Sequence, residues 1–78
     1  MSRYYFHLRL ADGRLIADQE GSDLPDAAAA RHEALAAARQ ILADAIGFGS
    51  ENIPQAIAIA DGEGHQLETV PFAAVLPK

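Results

Sequence analysis

The sequence predicts an α+β domain of ββαββ order, a four-stranded, mainly antiparallel sheet with one helix packed on one face. Three observations carry this. Apolar and polar residues alternate near the N-terminus, where Tyr4, Phe6, Leu8 and Leu10 interleave with Arg3, Tyr5, His7 and Arg9. A long alanine-rich stretch with helical periodicity follows. Two Asp-Gly turns, Asp12-Gly13 and Asp61-Gly62, each join a pair of strand-like segments.

The first strand is expected over Arg3 to Leu10. The return strand is expected over Arg14 to Asp18, with Leu15 and Ala17, or else Ile16, facing inward. Gln19 to Pro25 reads as a loop. Asp26 suits the helix N-cap, because its carboxylate can accept from free backbone N–H groups.

The helix is expected from about Asp26 to Ile46. Ala27, Ala30, Ala34, Leu35, Ala38, Ile41, Leu42, Ala45 and Ile46 fall on one arc. His32, Glu33, Arg39, Gln40 and Asp44 fall on the other. Arg31 intrudes on the dry arc, and its stem is expected to lie along the surface with its guanidinium reaching outward. Gly47 is expected just past the helix end, with Phe48 as the apolar contact of the cap. A loop over Gly49 to Pro54 leads to a third strand, Gln55 to Asp61, with alanines opposite Ile57 and Ile59. The fourth strand is expected over His65 to Phe72, drawing Leu67, Val70 and Phe72 into the core. Leu67 and Val70 are out of phase, which a bulge would repair. Pro71 cannot donate to a ladder and so marks an edge or an ending strand. The chain is read as one domain over 1–78, with 72–78 as a trailing tail.

Seventy-eight residues allow only one domain. The absence of cysteine removes disulfides, thiolate ligands and a thiol nucleophile. No apolar run approaches the roughly 20 residues of a membrane span. With no signal-peptide pattern either, the expected location is cytoplasmic. A net charge of −5 disfavours nucleic acid as a partner, since it repels phosphate backbones.

Arg3-Tyr4-Tyr5-Phe6, Asp12-Gly13, Asp18-x-Glu20-Gly21 and Leu24-Pro25-Asp26 form one set of features with Asp61-x-x-Gly64 and Val70-Pro71-Phe72. Together they resemble a family of short bacterial proteins catalogued as a domain of unknown function. The resemblance covers nearly the whole chain. It implies the same small fold and a bacterial, cytoplasmic setting, and it implies no site residue. The family often places an acid where this chain has His7, so the resemblance lends that histidine no role.

No catalytic, cofactor-binding or metal constellation is read from the residues. His7, His32 and His65 lack partners at metal-ligand spacing. Asp18, Glu20, Asp23 and Asp26 do not follow the calcium-loop pattern. Ser2, Ser22, Ser50 and Thr69 have no evident base. The sharper candidate is the polar side of the first strand, where Arg3, Tyr5, His7 and Arg9 share a sheet face away from the helix. One helix covers one side of such a sheet, so the other side, expected to show Tyr5 and Ile16, invites a partner. The expected function is therefore a non-enzymatic protein-interaction or self-associating module, with a homodimer the simplest arrangement. The alternative is single-stranded nucleic acid held on the basic, partly aromatic strip.

Overall fold

The computed structural model describes residues 1–48 and 54–75. The elements are β1 (Ser2–Leu10), β2 (Leu15–Ile16), β3 (Ser22–Leu24), α1 (Ala27–Phe48), β4 (Pro54–Asp61), β5 (Gln66–Pro71) and a 3-10 turn over Phe72–Val75. All strand pairs are antiparallel, in the order β2-β1-β4-β5, with β3 pairing β1 beside β2. The α+β class and the helix on the sheet are as expected; among the described residues the strands number five and not four.

The fifth strand is β3, inside the segment expected as loop. It pairs Ser2 with Leu24, Arg3 with Asp23 and Tyr4 with Ser22. Three residues are too few to show an alternation. The expected return strand shrinks to Leu15–Ile16, and both residues are about half exposed. The hairpin tip is as predicted: Gly13 takes a φ of 92° and donates to Leu10 O at 3.0 Å.

Register sorts every sheet residue onto a face. Tyr4, Phe6 and Leu8 stand opposite Asp61, Ile59 and Ile57, and the apolar members of that group turn toward α1. Val70 and Glu68 join the same side from β5. The core cluster joins Tyr4, Ile57, Ile59, Val70 and Phe72 to Ala30, Ala34 and Ala38, which have no exposure at all. These alanines lie four positions apart, so they form one ridge that lets the helix backbone come close to the sheet. Ala27, placed on the dry arc, is exposed, because it belongs to the first turn of α1.

The helix starts as expected: Asp26 Oδ1 accepts from Ala29 N–H at 2.8 Å. It continues through Phe48, so Gly47 lies in its last turn and not beyond it. The side chains of Ala45, Ile46 and Phe48, and the loop from Gly49 up to β4, lie outside the described residues. Arg31 does not merely reach outward: its Nη1 pairs with Glu68 Oε2, tying α1 to β5.

The β5 bulge is present, with Ile59 opposite Glu68 and Ala60 opposite Gln66, so Leu67 is the extra residue. It does not bring Leu67 into the core. Leu67 is 49% exposed, while Val70 is fully buried. Pro71 sits at the end of β5, on the sheet edge, where its missing N–H costs no ladder bond. Phe72–Val75 is a 3-10 turn, where a tail was expected over 72–78; residues 76–78 lie outside the described residues. The turn buries Phe72 against the helix side of the sheet, and Val75 packs beside it.

Candidate functional site

Residues 3, 5, 7 and 9 do share a face, opposite α1. The triples across the sheet are Tyr5–Ala60–Gln66, His7–Ala58–Thr69 and Arg9–Ala56–Pro71. Arg3 lies beside Asp23 of β3. Leu15, opposite Arg9, belongs to this face; Ile16, expected there, is opposite Leu8 and belongs to the other. Glu68 lies on the helix side, where it pairs with Arg31.

Ala56, Ala58 and Ala60 are only 4–5% exposed although no described element stacks on this face. Their small side chains lie in a valley between the larger ones of β1 and β5. The surface a partner would meet is therefore Tyr5, His7, Arg9, Thr69, Pro71 and Leu15, more polar than an alanine stripe suggests.

Asp18 organises one flank of this face. Between β2 and β3 the outer edge of β1 has no strand beside it, and Asp18 fills the gap. Its Oδ2 accepts from Phe6 N–H at 3.2 Å, and its Oδ1 accepts from Glu20 N–H at 3.1 Å and Gly21 N–H at 3.2 Å. Burial pushes its pKa up, but the N–H groups of Gly21, Phe6 and Glu20, with His7 nearby, pull it down more, so it stands below the ordinary carboxylate value. The Asp18-x-Glu20-Gly21 segment is thus a splice that lets two short strands serve one long one.

The splice also sets the chemistry of His7. The Asp18 backbone N–H donates to His7 Nδ1 at 3.0 Å. With Nδ1 accepting, the neutral ring carries its proton on Nε2. Nε2 has no protein partner among the described residues. The ring lies nearly parallel to that of Tyr5, with centroids 6.3 Å apart.

Arg3 is largely committed. Its Nη1 donates to Asp23 Oδ1 at 3.0 Å and its Nε to Glu20 O at 2.9 Å. The Asp23 hydrogen bond and charge, with a smaller contribution from Tyr5, raise its pKa further. Arg9 is exposed and has no ion-pair partner among the described residues. Sequence reasoning grouped these four residues correctly but could not tell the committed arginine from the open one.

Gly21 is the tightest point of the splice. It has a φ of 72°, and a Cβ there would come within 2.9 Å of both Tyr4 O and Tyr5 Cε2. Gly21→Ala is expected to cost about 2 kcal/mol, from the left-handed conformation and a backbone contact that cannot yield. Urea denaturation would measure it, and an unchanged midpoint would contradict the close approach.

A second cluster lies at the β4–β5 tip, and the sequence reading missed it. Asp61, Glu63 and His65 each offer a ligand atom within 4.8 Å of the others, and these three could hold a metal ion. The signal available was their alternate spacing across a two-glycine turn. The same atoms also close the turn. Asp61 Oδ1 accepts from His65 N–H at 2.8 Å and Glu63 N–H at 2.9 Å, and Oδ2 lies 3.2 Å from His65 Nδ1. The His65 N–H bond is the main reason the Asp61 carboxyl stands below its ordinary value.

The four acids Asp18, Glu20, Asp23 and Asp26 do not converge on one point. Asp18 binds backbone, Asp23 binds Arg3 and Asp26 caps α1. No pocket opens among the described residues, and none of their helices is long and apolar enough to cross a membrane. No curated protein and no solved structure matches the chain. The family model described as "Domain of unknown function (DUF6894)" matches residues 3–73, nearly all of the fold and the whole open face, and the chain belongs to that family.

Proposed function

We propose that the domain is a non-enzymatic interaction module that takes a protein partner on its open sheet face. The carrying observation is that, among the described residues, α1 covers one face only, and no element lies over Tyr5, His7 and Arg9 on the other. The edges offer poorer routes. β5 has a bulge at Leu67 and ends at Pro71, two features that discourage strand addition. The opposite edge is broken into β2 and β3 with the Asp18 splice between them.

The test is the amide NMR spectrum of the labelled domain, recorded against its own concentration and against a panel of extended peptides. Shifts gathered on Tyr5 to Arg9 and Ala56 to Ala60 are expected in at least one series. If no series moves those amides, the reading fails.

The parallel Tyr5 and His7 rings beside Arg9 favour one other reading, single-stranded nucleic acid stacked on the same face. It would appear as oligonucleotide binding that weakens with salt and is lost in Arg9→Gln. The chain's charge of −5 works against it.

A further inference from the structure

We infer that the open face recognises a carboxylate-bearing extended segment of a different protein, and not a second copy of this chain. The inference rests on the interaction reading above and adds the partner's chemistry.

The face presents unused donors and almost no unused acceptor charge. Arg9 offers a full guanidinium fork with no ion pair among the described residues. His7 offers Nε2–H, because Asp18 N–H occupies Nδ1 and fixes the proton at the far nitrogen. Among the described residues, the one acid that register places on this face is Asp23, and Arg3 already holds it. A chain with eleven acids and six Lys or Arg therefore keeps a locally cationic surface.

The spacing suits an extended segment. His7 and Arg9 are alternate residues of one strand, so their positions differ by roughly 6.6–6.8 Å along it. Acids at alternate positions of a partner in extended conformation have the same period. A guanidinium takes a carboxylate in a two-pronged geometry, and in an extended partner the residues between its acids point away from this face.

Charge also argues against a second copy. A two-fold dimer through this face would bring the Arg9 and His7 donors of both copies together with no free acid between them. Docking the acidic remainder of one copy onto this face of the next would be head-to-tail, which builds rings or filaments and not the two-fold dimer that is the commonest assembly.

The test uses the whole domain and three probes: a capped peptide of alternating glutamate and valine, the same peptide with glutamine for glutamate, and a thymine oligonucleotide. Amide shifts give affinity and location together. The glutamate peptide is expected to shift Tyr5 to Arg9 and Ala56 to Ala60, to weaken with salt, and to lose about tenfold in affinity with Arg9→Gln or with the glutamine peptide. Arg9 is exposed, so that variant should keep the wild-type fold, which its spectrum checks directly.

Equal binding of the two peptides on this face would overturn carboxylate recognition while leaving the interaction reading standing. Binding of neither peptide there would overturn carboxylate recognition, and the interaction reading as well if the domain's own concentration also leaves these amides unmoved. An oligonucleotide that binds more tightly than the glutamate peptide, dependent on Arg9, would assign the face to nucleic acid instead. Shifts of these amides with the domain's own concentration would assign it to a second copy.

Discussion

Ala34→Leu is expected to destabilise the domain by about 3 kcal/mol, the upper end of the cost of overpacking a filled core. Ala34 has no exposure and lies mid-ridge between Ala30 and Ala38, in one cluster with Ile57, Ile59 and Val70. Leucine is nearly as good a helix former as alanine, so propensity would account for little of the loss. The cost arises because a leucine must lift the helix off the sheet or twist its neighbours from their rotamers. In a domain of this size the melting temperature should fall by roughly 12–24 °C. Ala36→Leu supplies the control, since Ala36 is exposed on the same helix and should change stability by less than about 0.5 kcal/mol. Circular dichroism with urea measures both. Equal, small effects would mean that the alanine ridge does not set the helix–sheet distance.

The prediction also shows why the middle of this fold was legible. Periodicity reports which residues share a face, and long elements repeat their pattern enough to be read. Tyr4 and Leu10 are buried as the alternation of β1 requires, with Phe6 and Leu8 packed against the core between them. Ala30, Ala34 and Ala38 lie where 100° steps place them. Short segments carry no such repetition. β3 has three residues and β2 has two, and both are held by β1 and not by their own pattern. The Ile16 placement failed for this reason, since a one-residue slip in register exchanges faces. Leu67 failed differently. The bulge expected from the broken phase is present, yet Leu67 is itself the inserted residue, so it takes no regular inward position.

Part of the open face could be read in the same way, because Arg3, Tyr5, His7 and Arg9 follow from the period of β1. Which of their groups are free could not be read. Arg3 is held by Asp23 and Glu20, and His7 by Asp18, through contacts eleven to twenty residues apart in sequence. Such contacts depend on how the segment between the strands folds back, and a single sequence carries no local signal for that. The apolar character expected of the face was also overstated. Alanines between two rows of larger side chains are shielded even where no layer covers them.

Asp18→Ala should cost about 3 kcal/mol, because it strands three backbone N–H groups at once. Phe6 N–H is the most serious of them, since it is partly buried in a central strand and has no neighbouring strand to replace the lost acceptor. Asp18→Asn should cost about 2 kcal/mol: it keeps the volume, but its NH2 must oppose either Phe6 N–H or the Glu20 and Gly21 pair. The dependence on pH separates this from a mere packing defect. The folded-state pKa of Asp18 is below its ordinary value of 3.8, so its contribution is fully present above that value. It fades as the pH falls through the lower, folded-state value. The stability gap between wild type and Asp18→Asn should therefore narrow in acid, when the wild-type carboxyl is also neutral. A gap that stays constant from neutral pH into acid would show that the charge does not hold the splice. The same substitutions should reach the open face, because the backbone that carries the Asp18 carboxylate also donates to His7 Nδ1. Once that donor moves, His7 can place its proton on either nitrogen, and the outward Nε2–H is no longer assured. The residue that closes one edge of the sheet thus also sets the donor pattern on its uncovered face.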